Sequence, residues 1–144
     1  MRAVIQRVKR SKLTVDGEIV STISNGLNVF VGVTKGDDMD KVKRMANKIA
    51  TIRIFEVDGK MNLSVKDVGG EVLLVSNFTL CTLDTSGARP DFGLSADRDT
   101  ANTLYLALAE ELKKLGLVVK MGVFGADMQI ETVLDGPITI YKEI

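Results

Sequence analysis

The residues best suited to chemistry are Ser76, Asn77 and Thr79, gathered in the run Ser76-Asn77-Phe78-Thr79-Leu80. They end an apolar stretch that reads as a strand and open the longest loop, so a sheet fixes them while the loop shapes access. The hydroxyls offer donors or nucleophiles, and the amide offers a polar anchor. Backbone N–H groups around Phe78 offer a place for a developing oxyanion. Hydroxyls at a strand end also routinely satisfy turn groups and do nothing else. The chain has no histidine. That removes Ser-His-Asp and Cys-His arrangements, the usual base near neutral pH and the commonest transition-metal ligand. A threonine hydroxyl without a base is a weak nucleophile.

The second segment of interest is Gly136-Pro137-Ile138-Thr139, between two strand-like runs near the C-terminus. Proline cannot donate to a ladder, so it belongs at a strand's first residue, a bulge or a tight turn. It also tolerates a cis peptide bond, at roughly 0.5–1 kcal/mol. Two readings stand: a plain strand-initiating turn, or a bare pair of backbone carbonyls facing a ligand.

Hydrophobic periodicity supplies the elements that must position these segments. Arg2–Arg10 alternates as a strand, with Ala3, Ile5 and Arg7 on one side and Val4 and Val8 on the other. Asp16-Gly17 and Asp58-Gly59 are hairpin turns, the first between Lys12–Val15 and Glu18–Ile23, the second between Ile52–Val57 and Met61–Val65. Leu27–Val33 suits a strand buried on both faces. Met39–Ala50 and Asp97–Leu115 carry helical spacing, the second closed by Lys113, Lys114 and Gly116. Glu71–Leu80 reads as one long strand and Cys81–Ala96 as a surface loop. Leu117–Met121, Met128–Leu134 and Ile138–Tyr141 finish as strands. The glycine-rich stretch Gly122–Ala126 allows a close backbone approach. Two helices among many hairpin-joined strands define an α+β fold with largely antiparallel or mixed sheets.

The 144 residues fit a single domain, 1–144. Nineteen basic and nineteen acidic residues cancel, so a nucleic-acid contact would have to be local. The basic run Arg2, Arg7, Lys9, Arg10 and Lys12 reads as a solvated strand face. A single cysteine, Cys81, rules out an intramolecular disulfide and favours an intracellular setting. There is no signal-peptide pattern and no membrane-spanning run, so a soluble cytoplasmic protein is expected.

Together, Ser76–Leu80 and Gly136–Thr139 resemble the paired signature of the D-aminoacyl-tRNA deacylases, whose usual forms are Ser-Gln-Phe-Thr-Leu and Gly-Pro-Val-Thr. Met1–Val8 is similar to that family's opening strand, and Arg53-Ile54-Phe55 with Lys60–Ser64 to its central hairpin. Gly87–Phe92 resembles its Arg-Pro loop, and Phe124–Met128 its pre-strand motif. The resemblance implies a barrel-like core with two main helices. It implies a homodimeric carboxylic ester hydrolase that frees D-amino acids, and possible glycine, from the 3′-terminal adenosine of tRNA. Such chiral proofreading serves translation quality control and uses neither cofactor nor metal. Thr79 and Ser76 would then line the ester, with the Phe78 N–H at the oxyanion. Gly136 and Pro137, joined by a cis bond, would enter the partner subunit's site and hold the α-amino group, excluding L side chains. Phe124 and Ala96 would border the amino acid and Met128 the adenine. A catalytically silent tRNA- or D-amino-acid-binding relative is the alternative.

Three positions depart from the family pattern. Asn77 stands for the usual Gln, Leu134 for an Asn, and Asp91 for a small polar residue.

Overall fold

The computed structural model describes residues 1–83 and 87–144. Eight strands and two α-helices run in the order β1 (Arg2–Val15), β2 (Glu18–Ile23), β3 (Gly26–Gly32), α1 (Met39–Thr51), β4 (Phe55–Val57), β5 (Lys60–Leu63), β6 (Glu71–Ser76), α2 (Arg98–Lys114), β7 (Val118–Met121) and β8 (Gln129–Glu143). The fold is α+β on a mixed sheet, as the sequence leads one to expect. β1 pairs antiparallel with β2, β3 and β8, whereas β3–β6 and β6–β7 are parallel. Both expected hairpin turns form, with Asp16-Gly17 and Asp58-Gly59 at positive φ throughout, the signature of the tight turn that matches strand twist.

The sheet curls on itself. Ser21 of β2 donates its hydroxyl to the Met121 carbonyl of β7 at 2.6 Å, linking two strands that the ladder order β2-β1-β3-β6-β7 puts at opposite ends. One face packs Ala3, Ile5, Leu27, Val29, Val31, Val72 and Leu74 against both helices. The other face buries Val8, Leu13, Ile23, Leu73 and Val75 inside the curl. β3 and β6 are buried on both sides because side chains alternate between these two cores. The helices start as their sequences direct: Asp38 accepts from the Lys41 N–H and Asp97 from the Thr100 N–H.

Three expectations need correction. The strand from Glu71 stops at Ser76, and Phe78–Cys81 form a single 3₁₀ turn instead, because the Asn77 side chain accepts the Thr79 N–H and starts a helix there. The two C-terminal strands are one strand, β8, and Gly136-Pro137 is a bulge inside it rather than a turn. The basic run is only partly solvated, since Arg7 is 6% exposed. Part of the expected Cys81–Ala96 loop, residues 84–86, lies outside the described residues.

Candidate active site

Three parallel strands, β3, β6 and β7, end together, and their carboxyl ends open into a cavity of about 570 Å³. Binding crevices commonly form beyond the carboxyl ends of parallel strands, because the connecting loops diverge there. Phe30 and Val75 come from strand ends, Ala101 and Tyr105 from α2, and Phe124, Met128 and Ile130 from the β7–β8 connection and β8. Ser76 and Asn77 bring polar side chains to the wall, as do Ser95 and Arg98. The size and the mostly apolar lining with few convergent polar groups are those of a small-molecule site.

The Ser76–Leu80 segment is held from several sides. The Asn77 N–H donates to the Val31 carbonyl at 2.8 Å. The Asn77 Oδ1 accepts from the Thr79 N–H at 3.1 Å and from the Thr79 hydroxyl. Thr82 donates to the Thr79 carbonyl. Arg2 reaches across from β1, its Nη1 donating to the carbonyls of Leu80 (3.0 Å) and Thr82 (2.9 Å). These bonds satisfy the end of the turn. Its first N–H, that of Phe78, is a helix-start donor with no intrahelical partner, while the next, Thr79, is already taken by Asn77. The Phe78 ring is 59% exposed and meets Phe92 edge-on, with centroids 5.1 Å apart.

The cavity gathers Ser76, Asn77, Phe78, Ala96, Phe124 and Met128 from three separated stretches of sequence. Thr79 is exposed beside it and does not line it. Gly136 and Pro137 do not line it either. They sit exposed in the β8 bulge, where Asp135, Gly136, Pro137 and Ile138 lie opposite Arg7 alone, and the Gly136–Pro137 bond is cis. Arg7 fixes that bulge. Its Nε donates to the Asp135 carbonyl at 3.2 Å and pairs with the Asp135 carboxylate at 3.1 Å, while Nη1 donates to the Ile54 carbonyl at 2.7 Å.

The departures from the usual pattern find plain roles. Asn77 caps the turn it opens. Leu134 pairs with Val8 at the bulge's start and is 43% exposed. Asp91 accepts the Gly93 N–H at 2.7 Å, closing its own loop.

Tyr105 and Arg98 line the cavity although nothing in the sequence singled them out. Tyr105 occupies a helical position next to the apolar stripe and was hidden by it. Its hydroxyl donates to the Leu74 carbonyl at 2.8 Å, and burial pushes its pKa far up, so it serves as a donor and not a base. Burial likewise raises the Cys81 thiol, which bonds the Val33 carbonyl and is no nucleophile. The glycine-rich stretch does permit close approach: a Cβ at Gly122 would meet the Met128 sulfur at 2.7 Å.

A curled mixed sheet with two helices, and with Ser76 and Asn77 at the wall of a mostly apolar cavity, defines a candidate small-molecule site in a chain without histidine. The family model described as D-Tyr-tRNA(Tyr) deacylase matches residues 4–143, and the chain belongs to that family. It is 49% identical over 144 residues to a D-aminoacyl-tRNA deacylase of Geobacillus sp. (strain WCH70), covering 99% of this chain and 95% of that one. Another, from Carboxydothermus hydrogenoformans, is 46% identical with both chains covered fully. Among solved structures, c-Myc DNA Unwinding Element Binding Protein superposes with a TM-score of 0.94 at 40% identity, covering 100% of this chain and 99% of that one. A probable eukaryotic D-amino acid tRNA deacylase shares the fold, with a TM-score of 0.86 at 14% identity, over 99% and 98% of the two chains.

Proposed function

We infer that the chain hydrolyses the ester between a D-amino acid and the 3′-terminal adenosine of tRNA, releasing both. The observation that carries this reading is the Phe78 N–H, left unused by the turn beside an apolar cavity, in a chain of this family. A donor fixed in place before the ester arrives needs no reorganisation when negative charge develops on oxygen, which is how such groups lower a barrier. Ser76 lines the same wall and Thr79 positions the ester from the rim. Water attacks, assisted by the neighbouring ribose hydroxyl, so the absence of histidine is no obstacle. Phe124 and Ala96 border the amino acid, and Met128 lies toward the adenine.

Chirality is set by the Gly136 and Pro137 carbonyls of a second copy. Support comes from what one chain lacks and what it exposes. The cavity of a single chain does not contain Gly136 or Pro137, which stand on the surface in a bulge pinned by Arg7. β8 pairs only with β1 among the described residues, leaving its other edge open, and it exposes Val133, Leu134 and Tyr141. An unpaired edge with apolar side chains is a surface for a partner strand or chain. Backbone carbonyls cannot swing aside, so an L side chain meets a fixed wall while a D side chain or a hydrogen passes. Among the described residues no helix is long and apolar enough to cross a membrane, and we place the reaction in the cytoplasm, in translation quality control.

The test is to incubate the protein with D-Tyr-tRNA, L-Tyr-tRNA and Gly-tRNA and to follow loss of the ester. Loss of the D and glycyl esters with survival of the L ester is expected. Loss of D and L alike sinks the gate. Survival of all three sinks the enzyme and leaves the silent binding relative.

A further inference from the structure

We propose that Arg98 is a phosphate clamp that holds the last internucleotide phosphodiester of the tRNA 3′ end at the rim of the cavity. This rests on the deacylase reading above. Among the described residues that line the cavity, Arg98 is the only charged one. It is the first residue of α2 and is exposed, so its side chain reaches both the cavity and solvent. Its guanidinium carbon lies 5.9 Å from the centroid of the Phe124 ring. A Cβ at position 125 would come within 2.8 Å of its Nη2, so the guanidinium is seated against the Gly125 backbone. Among the described residues Arg98 forms no salt bridge. The neighbouring Asp97 carboxylate is committed to capping α2 through the Thr100 N–H at 2.9 Å.

A seated guanidinium over an aromatic face, without a counterion, is built for a planar, bidentate anion contact. The substrate narrows the choice. The ester, adenine and ribose carry no negative charge, and the α-amino group is a cation that Arg98 repels. The phosphodiester on the 5′ side of the terminal adenosine is the anion left for Arg98 to hold.

The experiment compares the unaltered protein with Arg98→Gln and Arg98→Lys on D-Tyr-tRNA and on 3′-O-D-tyrosyl-adenosine, which has no phosphate. Binding of the trinucleotide CpCpA and of adenosine is measured alongside. Arg98→Gln is expected to raise KM for the tRNA ester about tenfold, the size of one charge-assisted contact. Its effect on the phosphate-free ester should be several-fold smaller. The slope of log affinity for CpCpA against log salt should flatten by roughly 0.7, one phosphate contact on a single strand. Arg98→Lys keeps the charge and should restore most of that slope. Equal losses on the two esters would assign Arg98 to packing on Phe124 and overturn the proposal, as would no loss on either. A loss confined to a D-aspartyl ester would place an amino-acid carboxylate there, and overturn it too. If the unaltered protein cleaves neither ester yet binds CpCpA in an Arg98-dependent way, the deacylase reading fails and the clamp stands.

Discussion

Thr79 gives its hydroxyl proton to the Asn77 Oδ1, and an amide oxygen does not remove a proton near neutral pH. The hydroxyl is thereby oriented but not activated, which fits positioning better than attack. Thr79→Ala should therefore lose one neutral hydrogen bond, about 1 kcal/mol or roughly fivefold in rate. Single-turnover deacylation measures this, and a loss on the order of 10⁴-fold, as when a true nucleophile is removed, would overturn the positioning role. Asn77 acts one step further out. Its side chain caps the 3₁₀ turn, so Asn77→Ala should lower stability by about 1 kcal/mol and loosen the turn that carries the Phe78 N–H. Thermal melting reads the first effect and kcat the second. An unchanged kcat would separate the cap from the oxyanion.

At the scale of the element, the β8 bulge depends on Arg7 and Gly136. Arg7→Met keeps the aliphatic stem but leaves the Ile54 and Asp135 carbonyls without their charged donor. About 1.5–3 kcal/mol of stability should go, by the usual worth of hydrogen bonds to charged groups, and the bulge should lose its anchor. Gly136 has φ +123°, and an added Cβ would stand 2.8 Å from Ile138 Cγ1 and 2.9 Å from its backbone nitrogen. Gly136→Ala is thus expected to cost about 1–3 kcal/mol and to impair D-ester cleavage more than Thr79→Ala does; urea titration and deacylation assays check both. The reasons these features were or were not readable differ. Hairpins, helix limits and the buried β3 follow from local chemistry, and each formed as its pattern directs. Arg7 carried a usable signal, since it shares the strand side of Ala3 and Ile5, yet its charge argued for solvent. What reversed this was the Asp135 carbonyl and carboxylate, 128 positions away. The 3₁₀ turn went unread because its cap, Asn77, sits at the end of an apolar run that favours strand up to that residue. Arg98 lay outside any motif, and only the packing of α2 against the β7–β8 connection brings it to the cavity.

Over the whole molecule, the first and last described residues and the segment before α1 meet around the Met1 amino group. The Met1 amino group donates to Asp37 Oδ1 at 2.6 Å, to Thr34 Oγ1 at 3.1 Å and to the Ile144 carbonyl at 2.8 Å. Asp37 also accepts the Thr34 N–H and hydroxyl, at 2.6 and 3.0 Å, and Lys41 at 3.1 Å. Its side chain is fully buried. Burial by itself would raise the carboxyl's pKa, but hydrogen bonds from the amino group, the Thr34 N–H and Lys41 outweigh it and hold the carboxyl below its ordinary value. A carboxyl that is more acidic in the folded chain than in the unfolded one stabilises the fold fully above the ordinary value, near ~3.9, and loses that contribution as pH falls through the folded value. Asp37→Asn removes the charge and leaves the amino group buried without it, so about 3 kcal/mol or more should be lost at neutral pH. Asparagine does not titrate. The difference in melting temperature between the two proteins should therefore be widest at pH 6–7 and shrink steadily below about pH 4, while other carboxylates titrate alike in both. A difference that stays constant from pH 7 to pH 3 would mean that the Asp37 charge does not hold Met1 to the segment before α1.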